Sequence, residues 1–262
     1  VYYAGDSGRQ GSNAEYHLVD ARIAGCKPTS LSFAQAAAMP LTTLTAWELL
    51  FQRMPFAFDG ARNRGKHLLI IGGAGGVGSI AIQLARHAGF TVIATASRPE
   101  TVEWVRQMGA QHVIDHHQPL HPQLQAIGLD QVDAALNLAD TDRYWAQLGE
   151  LLAPQGHVGL IVEPRGPLPI GDPYKSKCIG IHWELMFTRA RYATDDMVEQ
   201  HRILNRAASL IDAGELRTTH TETLSPICAQ TLREAHRRLE SGSTIGKLVV
   251  ACLLYTSDAA DE

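Results

Sequence analysis

Five glycines within residues 72–78 form the pattern in this sequence that most clearly suggests chemistry. Gly73, Gly75 and Gly78 have the spacing GxGxxG, in which the first glycine permits a sharp turn and the second lets the backbone approach a pyrophosphate. The third lets a helix pack closely on a strand, and the free N–H groups of that helix bind phosphate. The pattern predicts a dinucleotide-binding loop made of Gly73, Ala74, Gly75, Gly76, Val77 and Gly78.

The residues that would select the dinucleotide are expected about twenty positions farther along the chain. A site for NAD is expected to carry Asp or Glu there, because a carboxylate accepts a hydrogen bond from the ribose 2′-OH. Ser97 and Arg98 occupy this place instead, and a guanidinium beside a hydroxyl suits a 2′-phosphate. We therefore expect NADPH as the cofactor, with an exposed loop arginine as the alternative explanation of Arg98.

Two different apolar patterns flank the glycines. Residues 68–71 are a continuous apolar run, which is typical of a parallel strand buried on both faces. From Val77 onward the apolar residues have helical spacing, and Gly89 is placed to end that helix. The alternative is a membrane helix over residues 68–85, but glycines at its centre would weaken it strongly. The stretch therefore predicts a strand, a turn and a helix.

Alternating strand and helix patterns continue beyond this unit. Strands are expected at residues 91–96, 111–115, 131–139, 156–162 and 177–187, with helices between them. Six strands in this alternation predict an α/β fold with a doubly wound parallel sheet of the Rossmann type. Shorter strand-like pieces with glycine turns precede the sheet, and a helix at 227–239 follows it, so the sheet is expected to be inserted in another domain.

The overall composition limits the partners and the compartment. The chain has 262 residues and a net charge of −4, which argues against nucleic acid or an anionic membrane as the main partner. The four cysteines are scattered without a CxxC pair, so we expect no disulfide framework and a cytoplasmic location. Cys26 and Cys178 are expected to be buried apolar residues.

Several motifs together resemble the medium-chain dehydrogenase/reductase superfamily, in its quinone oxidoreductase-like branch. This group is often labelled zinc-type alcohol dehydrogenase-like. The resemblance covers nearly all of residues 1–251 and is carried by GSNAEYHLV, MPLTTLTAWELL, GGAGGVGSIAIQLA, MGAQHVID, LLAPQGHVGLI and GKLVV.

The resemblance implies a GroES-like barrel joined to the Rossmann sheet, a substrate cleft between them, and a homodimer. We expect residues 1–44 to be the remnant of the barrel domain, 45–212 the Rossmann domain and 213–251 the return to the barrel. Residues 252–262 resemble translated adapter sequence and are expected to be a non-native tail. By comparison with the family about eighty N-terminal residues are absent, so the barrel is expected to be partly missing.

The resemblance also raises the question of zinc. A catalytic zinc needs three protein ligands, and in zinc alcohol dehydrogenases one of them is a cysteine in the helix that enters the cofactor domain. The matching segment here has Met39, Pro40 and Leu41. Only a short loop stands where a lobe of four cysteines would bind structural zinc, so no zinc is expected. The group of His116, His117 and His121 is expected to be an exposed loop after a strand.

The resemblance adds further cofactor contacts. It places Thr45 near the nicotinamide or its phosphate, although a threonine that only packs the helix is nearly as good an explanation. Independently of the resemblance, Asn137 at the end of the fourth strand and Ile161 in the turn after the fifth are expected at the edge where open α/β sheets bind ligands. Lys247 reaches the cofactor in relatives, and its alternative is a solvated lysine. Substrate contacts by resemblance are Tyr3, Ser7 and Arg9.

The function expected from these residues is NADPH-dependent transfer of hydride to a quinone or an α,β-unsaturated carbonyl, without zinc. No catalytic residue is assigned, because the groups that stabilise the oxyanion are expected upstream of Val1. The absence of Tyr-x-x-x-Lys argues against the short-chain reductases. Two alternatives remain, which are a zinc-dependent alcohol dehydrogenase and an NADPH-binding sensor or structural protein without turnover. The sequence His182–Trp183–Glu184 is expected to serve packing or a subunit contact in an edge strand.

Overall fold

The computed structural model describes residues 1–14 and 16–252. Within them the strands are β1 (Tyr2–Tyr3), β2 (Ala24–Gly25), β3 (His67–Ile71), β4 (Thr91–Thr95), β5 (His112–Ile114), β6 (Val132–Asn137), β7 (Leu152–Leu160), β8 (Gly180–Trp183), β9 (His220–Leu224) and β10 (Lys247–Val250). The helices are α1 (Phe33–Ala37), α2 (Pro40–Glu48), α3 (Gly76–His87), α4 (Pro99–Gln107), α5 (Leu120–Ala126), α6 (Thr141–Leu151), α7 (Thr188–Tyr192), α8 (Glu199–Asp212) and α9 (Ala229–Glu240). A π-helical turn, Leu49–Arg53, continues α2.

The central sheet has six parallel strands in the order β5-β4-β3-β6-β7-β8. In β3 the run of apolar side chains is buried on both faces, and Leu69 lies between Ile93 of β4 and Ala135 of β6. The chain moves outward from β3 to β5 and then crosses back to place β6 on the other side of β3. The doubly wound parallel sheet predicted from the sequence is confirmed, and its strand order reverses beside β3.

Helices cover both faces of the sheet. On one face the apolar stripe of α3, with Ile80 and Leu84, packs with residues of α2 and α8. On the other face Trp145 of α6 stacks on Tyr174 with ring centroids 4.2 Å apart, and the Tyr174 hydroxyl donates to the Trp145 carbonyl oxygen at 2.7 Å. The predicted strand–turn–helix over residues 67–89 is confirmed, with Gly89 at φ +89° just after α3. Across the described ranges, none of the helices combines the length and apolarity that a bilayer crossing requires.

The remaining strands form two small pairs. In the first pair β1 is antiparallel to β2, and Tyr2 donates its hydroxyl proton to the Leu204 carbonyl oxygen of α8 at 2.7 Å. In the second pair β9 is parallel to β10. The predicted division of the chain at residues 44, 212 and 251 stays a prediction, and its first boundary falls inside α2. Of the predicted non-native tail, residues 253–262 lie outside the described residues.

Two expectations about single segments were wrong. Cys26 and Cys178 are exposed rather than buried, because Cys26 directly follows the short strand β2 and Cys178 lies in a turn before β8. Strand β8 is also shorter than the predicted residues 177–187. Its pairing with β7 ends with Trp183 opposite Leu160, because β7 itself ends there, and Glu184 beyond it enters a buried cluster of charged groups.

Candidate functional site

The glycine loop joins the carboxyl end of β3 to the amino end of α3. Gly72 has φ +82°, and Gly75 is the residue that precedes the first turn of α3. A Cβ atom placed at Gly78 would lie 2.3 Å from the carbonyl oxygen of Gly72, so the helix approaches the turn more closely than any side chain permits. At Gly75 the nearest atom to such a Cβ is 3.4 Å away, so that side of the loop is open. The loop geometry fits the separate roles that GxGxxG assigns to its glycines.

A cleft of about 440 Å³ opens beside this loop. Its walls are the glycine loop, the residues that follow β4, the turn after β5, the turn after β6 and a loop between α9 and β10. From the predicted set it contains Ala74, Gly75, Ser97 and Arg98. Another cleft, of about 450 Å³ beside Asp133 and His157, lies toward the amino ends of the strands. Only the first cleft combines a glycine loop with a helix N-terminus, so we treat it as the candidate site.

Arg98 and Ser97 lie on the wall formed by the end of β4. The Arg98 guanidinium donates through Nη2 to the carbonyl oxygen of Ser243 at 2.7 Å, and its Nε lies 3.2 Å from Glu100 Oε1. The Ser97 hydroxyl lies 3.5 Å from Nε2 of His116. A hydroxyl, a guanidinium and an imidazole therefore border the same corner of the cleft.

The chain returns to this cleft near its C-terminus. The backbone N–H of Gly246 donates to the carbonyl oxygen of Ala74 at 2.8 Å. A Cβ at Gly76 would lie 2.7 Å from Cδ of Lys247 and 3.1 Å from Cγ2 of Thr42. Lys247 thus packs on the loop with its stem, and burial lowers the pKa of its ammonium group. We call residues 242–247 the clasp, because they join the glycine loop to Arg98 at the end of β4.

Three predicted contacts have side chains that are not directed into this cleft. The Thr45 hydroxyl donates to the Leu41 carbonyl oxygen at 2.8 Å, one turn earlier in its own helix. Asn137 is fully buried, and its amide donates to the Asp140 carbonyl oxygen at 3.0 Å. Ile161 is half-buried beyond β7. All three lie on the elements that the sequence indicated, and their contacts with a cofactor stay predictions.

Other residues of the cleft escaped sequence reasoning. Thr95 accepts a hydrogen bond from the N–H of Gly72 through Oγ1 at 3.0 Å and so fixes the turn. Gly242, Ser243 and Thr244 of the clasp also line the cleft. They lie far from the glycine loop in sequence and carry no motif, so only the tertiary fold brings them there. The predicted substrate contacts Tyr3, Ser7 and Arg9 do not line this cleft.

The histidines after β5 do not form a metal site with neighbouring residues. His116 lines the cleft and is half-buried, rather than lying in a wholly exposed loop as expected. In residues 1–14 and 16–252 no group of three or more His, Cys, Asp or Glu side chains converges as a metal site would require. Leu41, where the resemblance places the cysteine ligand of zinc alcohol dehydrogenases, has a hydrocarbon side chain that cannot bind a metal. Met39 nearby is fully buried, and its sulfur accepts from the Thr219 N–H at 3.3 Å. The described donors therefore do not fit a catalytic zinc.

Comparisons with known proteins agree with this architecture. Residues 108–250 match a family described as zinc-binding dehydrogenase. A zinc-type alcohol dehydrogenase-like protein of Staphylococcus epidermidis is 39% identical over 250 residues, which are 95% of this chain and 74% of that protein. The crystal structure of a candidate zinc-dependent alcohol dehydrogenase from Rhizobium etli superposes with a TM-score of 0.88 at 50% identity, covering 95% of this chain and 72% of the other.

A shorter similarity extends to a plant enzyme. The chloroplastic NADPH-dependent alkenal/one oxidoreductase of Arabidopsis thaliana is 43% identical over 107 residues. The match covers 40% of this chain and 26% of the plant protein.

Proposed function

Because the chain belongs to the medium-chain dehydrogenase/reductase superfamily, among its zinc-type alcohol dehydrogenase-like and quinone oxidoreductase-like proteins, we propose that it is an NADPH-dependent reductase. Its proposed substrates are quinones or α,β-unsaturated carbonyl compounds, and it works without zinc. The observation that carries the proposal is that Ser97 and Arg98 share one cleft with Ala74 and with Gly75, the residue that precedes α3. The name of the similar plant enzyme, an NADPH-dependent alkenal/one oxidoreductase, supports the same substrate class.

The residues would bind the cofactor in sequence along the sheet edge. The N–H groups at the start of α3 and the open side of Gly75 would hold the pyrophosphate. Arg98 would exchange its contact with Ser243 for the 2′-phosphate, since a guanidinium binds phosphate through two parallel hydrogen bonds. The other half of the cofactor would then extend over β6 and β7, where Asn137 ends β6 and Ile161 follows β7. The bound cofactor supplies a hydride, while the protein positions it and excludes water.

The competing function is a zinc-dependent alcohol dehydrogenase, which the names of the similar proteins favour. The donor set of the described residues argues against it, because the resemblance places Leu41 in the position of a cysteine ligand. Metal analysis of the full-length protein separates the two. Stoichiometric zinc, removed by a chelator together with alcohol oxidation, would establish the competing function.

The main experiment follows the nicotinamide absorbance of NADPH with a panel of quinones, enones and alcohols. We expect oxidation of NADPH by an enone or a quinone and little reaction with alcohols and NADP⁺. Tight binding of NADPH without oxidation by any of these compounds would instead establish the sensor. The proposed compartment is the cytoplasm, in keeping with the four cysteines being free.

We also propose that the protein forms a homodimer through the edge of β8. Within the described residues this strand pairs with β7 alone. Its side chains Ile181 and Trp183, with Leu185 beyond, are 37%, 47% and 49% exposed, and an apolar strand edge of this kind favours pairing with another chain. Trp183→Glu should convert the dimer to a monomer in sedimentation experiments while leaving NADPH binding intact. A wild-type protein that sediments as a monomer would refute the dimer.

A further inference from the structure

A cluster of charged side chains is buried beneath the carboxyl edge of the sheet, outside the cleft. Glu48, the last residue of α2, has a fully buried side chain. Its Oε2 lies 2.7 Å from Nη1 of Arg189 and 3.3 Å from Nη2 of Arg53. Arg53 also donates through Nε to Oε2 of Glu184 at 2.8 Å, and the Glu184 side chain is fully buried too. Two carboxyl groups and two guanidinium groups therefore share one small volume.

The π-helical turn explains how Arg53 reaches this cluster. In an α-helix neighbours on one face are three or four residues apart, whereas the wider π-turn brings residues five apart together. Arg53 therefore returns to the side of the helix that carries Glu48. Single π-turns are frequent at functional sites.

The charges balance when one carboxyl group keeps its proton. Glu48, Glu184 and Asp196, which pairs with Arg189 at 2.9 Å, would together carry one negative charge more than the two guanidinium groups. Glu48 already accepts from cationic and amide donors, whereas Oε1 of Glu184 has no hydrogen-bond donor among the described residues. A proton on Glu184, directed at the neighbouring carboxylate of Glu48, satisfies both groups.

Gln200 connects the cluster to residues 184–186, the segment that follows β8. The buried Gln200 amide donates to Oε1 of Glu48 at 3.2 Å and to the carbonyl oxygen of Met186 at 2.6 Å. The N–H of Glu184 donates to the carbonyl oxygen of Leu160 at 3.0 Å, which extends the pairing of β7 and β8 by one residue. Residues 184–186 are thereby held against α2, whose first turn contacts the glycine loop through Thr42.

We propose that Glu48 is a positioning residue for the nicotinamide end of the cofactor cleft. This inference rests on the proposed function, in which Arg98 at β4 binds the adenosine end. A dinucleotide crosses the sheet at the point where the strand order reverses, so its other end lies over β6, β7 and β8. Glu48 touches no cofactor atom and acts by locking residues 184–186 and α2 in register. Its loss should therefore weaken contacts with one end of the cofactor only.

The test compares two ligands on the full-length protein by calorimetry. NADP⁺ has both ends, whereas 2′,5′-ADP has only the adenosine end. Glu48→Gln should weaken NADP⁺ binding roughly tenfold, as expected when buried charge-assisted hydrogen bonds are lost, and should change 2′,5′-ADP binding less than about twofold. Gln200→Met removes the hydrogen bond to Met186 and keeps the ion pairs. It should also weaken NADP⁺ binding roughly tenfold while changing 2′,5′-ADP binding less than about twofold. This variant decides the test if Glu48→Gln fails to fold.

Two matched substitutions serve as controls. Glu184→Gln keeps the shape and neutrality of a protonated carboxyl group, so it should bind both ligands like the wild type. Glu199→Gln removes a half-buried carboxylate next to Gln200 that pairs with Arg202, and it should also bind both ligands normally. Steady-state assays add a second readout, because Gln200→Met should lower kcat for the reduction of an enone at saturating NADPH.

Three results would overturn the inference. Equal weakening of NADP⁺ and 2′,5′-ADP would mean that the cluster only supports the fold, and unchanged binding of both would mean that it positions nothing. A wild-type protein that binds neither ligand would refute the proposed function itself and this inference with it. The first two results leave the proposed function standing, so the two failures are distinguishable.

Discussion

The guanidinium of Arg98 donates to the carbonyl oxygen of Ser243 at 2.7 Å, although the two residues are 145 positions apart in the chain. This contact joins the end of β4 to the clasp and gives the predicted phosphate-binding arginine a fixed starting position. Its side chain is still 42% exposed, so it can meet a phosphate group from solvent.

Arg98→Ala should weaken the binding of NADPH by roughly ten- to a hundredfold, because a charge-assisted contact with the 2′-phosphate is lost. Binding of NADH should change less than about twofold, since NADH lacks that phosphate. Fluorescence titration with both cofactors measures the difference. Arg106→Ala, at an exposed position near the end of α4, is the control and should alter neither affinity. Equal losses for NADPH and NADH would contradict the role of Arg98.

Two glycines of the loop should respond differently to alanine. Gly78→Ala would place a Cβ atom 2.3 Å from the Gly72 carbonyl oxygen, so α3 must move away from the turn and the protein should lose both stability and cofactor binding. Gly75→Ala meets only an ordinary contact at 3.4 Å, so its melting temperature should stay near that of the wild type. The new methyl group would nevertheless occupy the open side of the loop and block the approach of the pyrophosphate. NADPH should therefore bind roughly tenfold more weakly or worse. Similar melting temperatures for the two variants would contradict this assignment.

The protonated Glu184 predicts how stability depends on pH. Burial raises the pKa of this carboxyl group to about 8, and the negative charge of Glu48 adds to the rise. The groups that face it are Glu48 and Arg53, with Arg189, Asp196 and Gln200 behind them.

The unfolded chain releases this proton near the ordinary pKa of a glutamic acid, about 4.3. Between about pH 5 and pH 8 the folded state therefore binds about one proton more, and the free energy of unfolding falls as the pH rises. Glu184→Gln should remove about 1.4 kcal/mol per pH unit of that slope, measured by urea unfolding across this range. Parallel curves for wild type and variant would show that Glu184 is already ionised.

Lys177 should stabilise the C-terminal end of α6. Its ammonium group donates to three carbonyl oxygens, of Gly149 at 2.9 Å, Glu150 at 2.6 Å and Leu152 at 2.9 Å, where the helix ends and leaves acceptors unpaired. Lys177→Met should lower the free energy of unfolding by about 1–2 kcal/mol through the loss of these contacts and of the favourable charge at the helix end. The exposed Lys175 is a matched control, and Lys175→Met should cost less than about 0.5 kcal/mol. Equal effects of the two substitutions would argue against a capping role.

The strands and helices were predicted most accurately from the sequence where they depend on residues that are neighbours along the chain. The change from a continuous apolar run to helical spacing at Val77 correctly predicted β3, the turn and α3. The alternation that follows gave the six parallel strands, because each strand and its return helix leave a local pattern. Asn137 was correctly placed at the end of its strand, but its side-chain direction depends on the Asp140 carbonyl oxygen.

The features that the sequence did not predict join distant segments. Residues 242–244 have no distinctive composition and reach the cleft only because β10 lies beside the glycine loop. The sequence around Glu184 predicts an edge strand with a packing role, because no neighbouring residue indicates a contact with Arg53, Glu48 or Gln200. A buried charge network is specified by tertiary geometry, and its members look like ordinary surface residues when each is read in its own segment.

The hydrogen bond from Gly246 to Ala74 also means that the cleft can be completed only after residues 242–247 have been synthesised. The ribosome releases the glycine loop long before it releases residues 242–247, so a nascent chain can fold the central sheet while one side of the cleft is still open. Arg98 can donate its hydrogen bond to the Ser243 carbonyl oxygen only after this later segment has been synthesised. Under the proposed function, the contact that holds Arg98 beside the 2′-phosphate site therefore forms only after the glycine loop that would bind the pyrophosphate has been made.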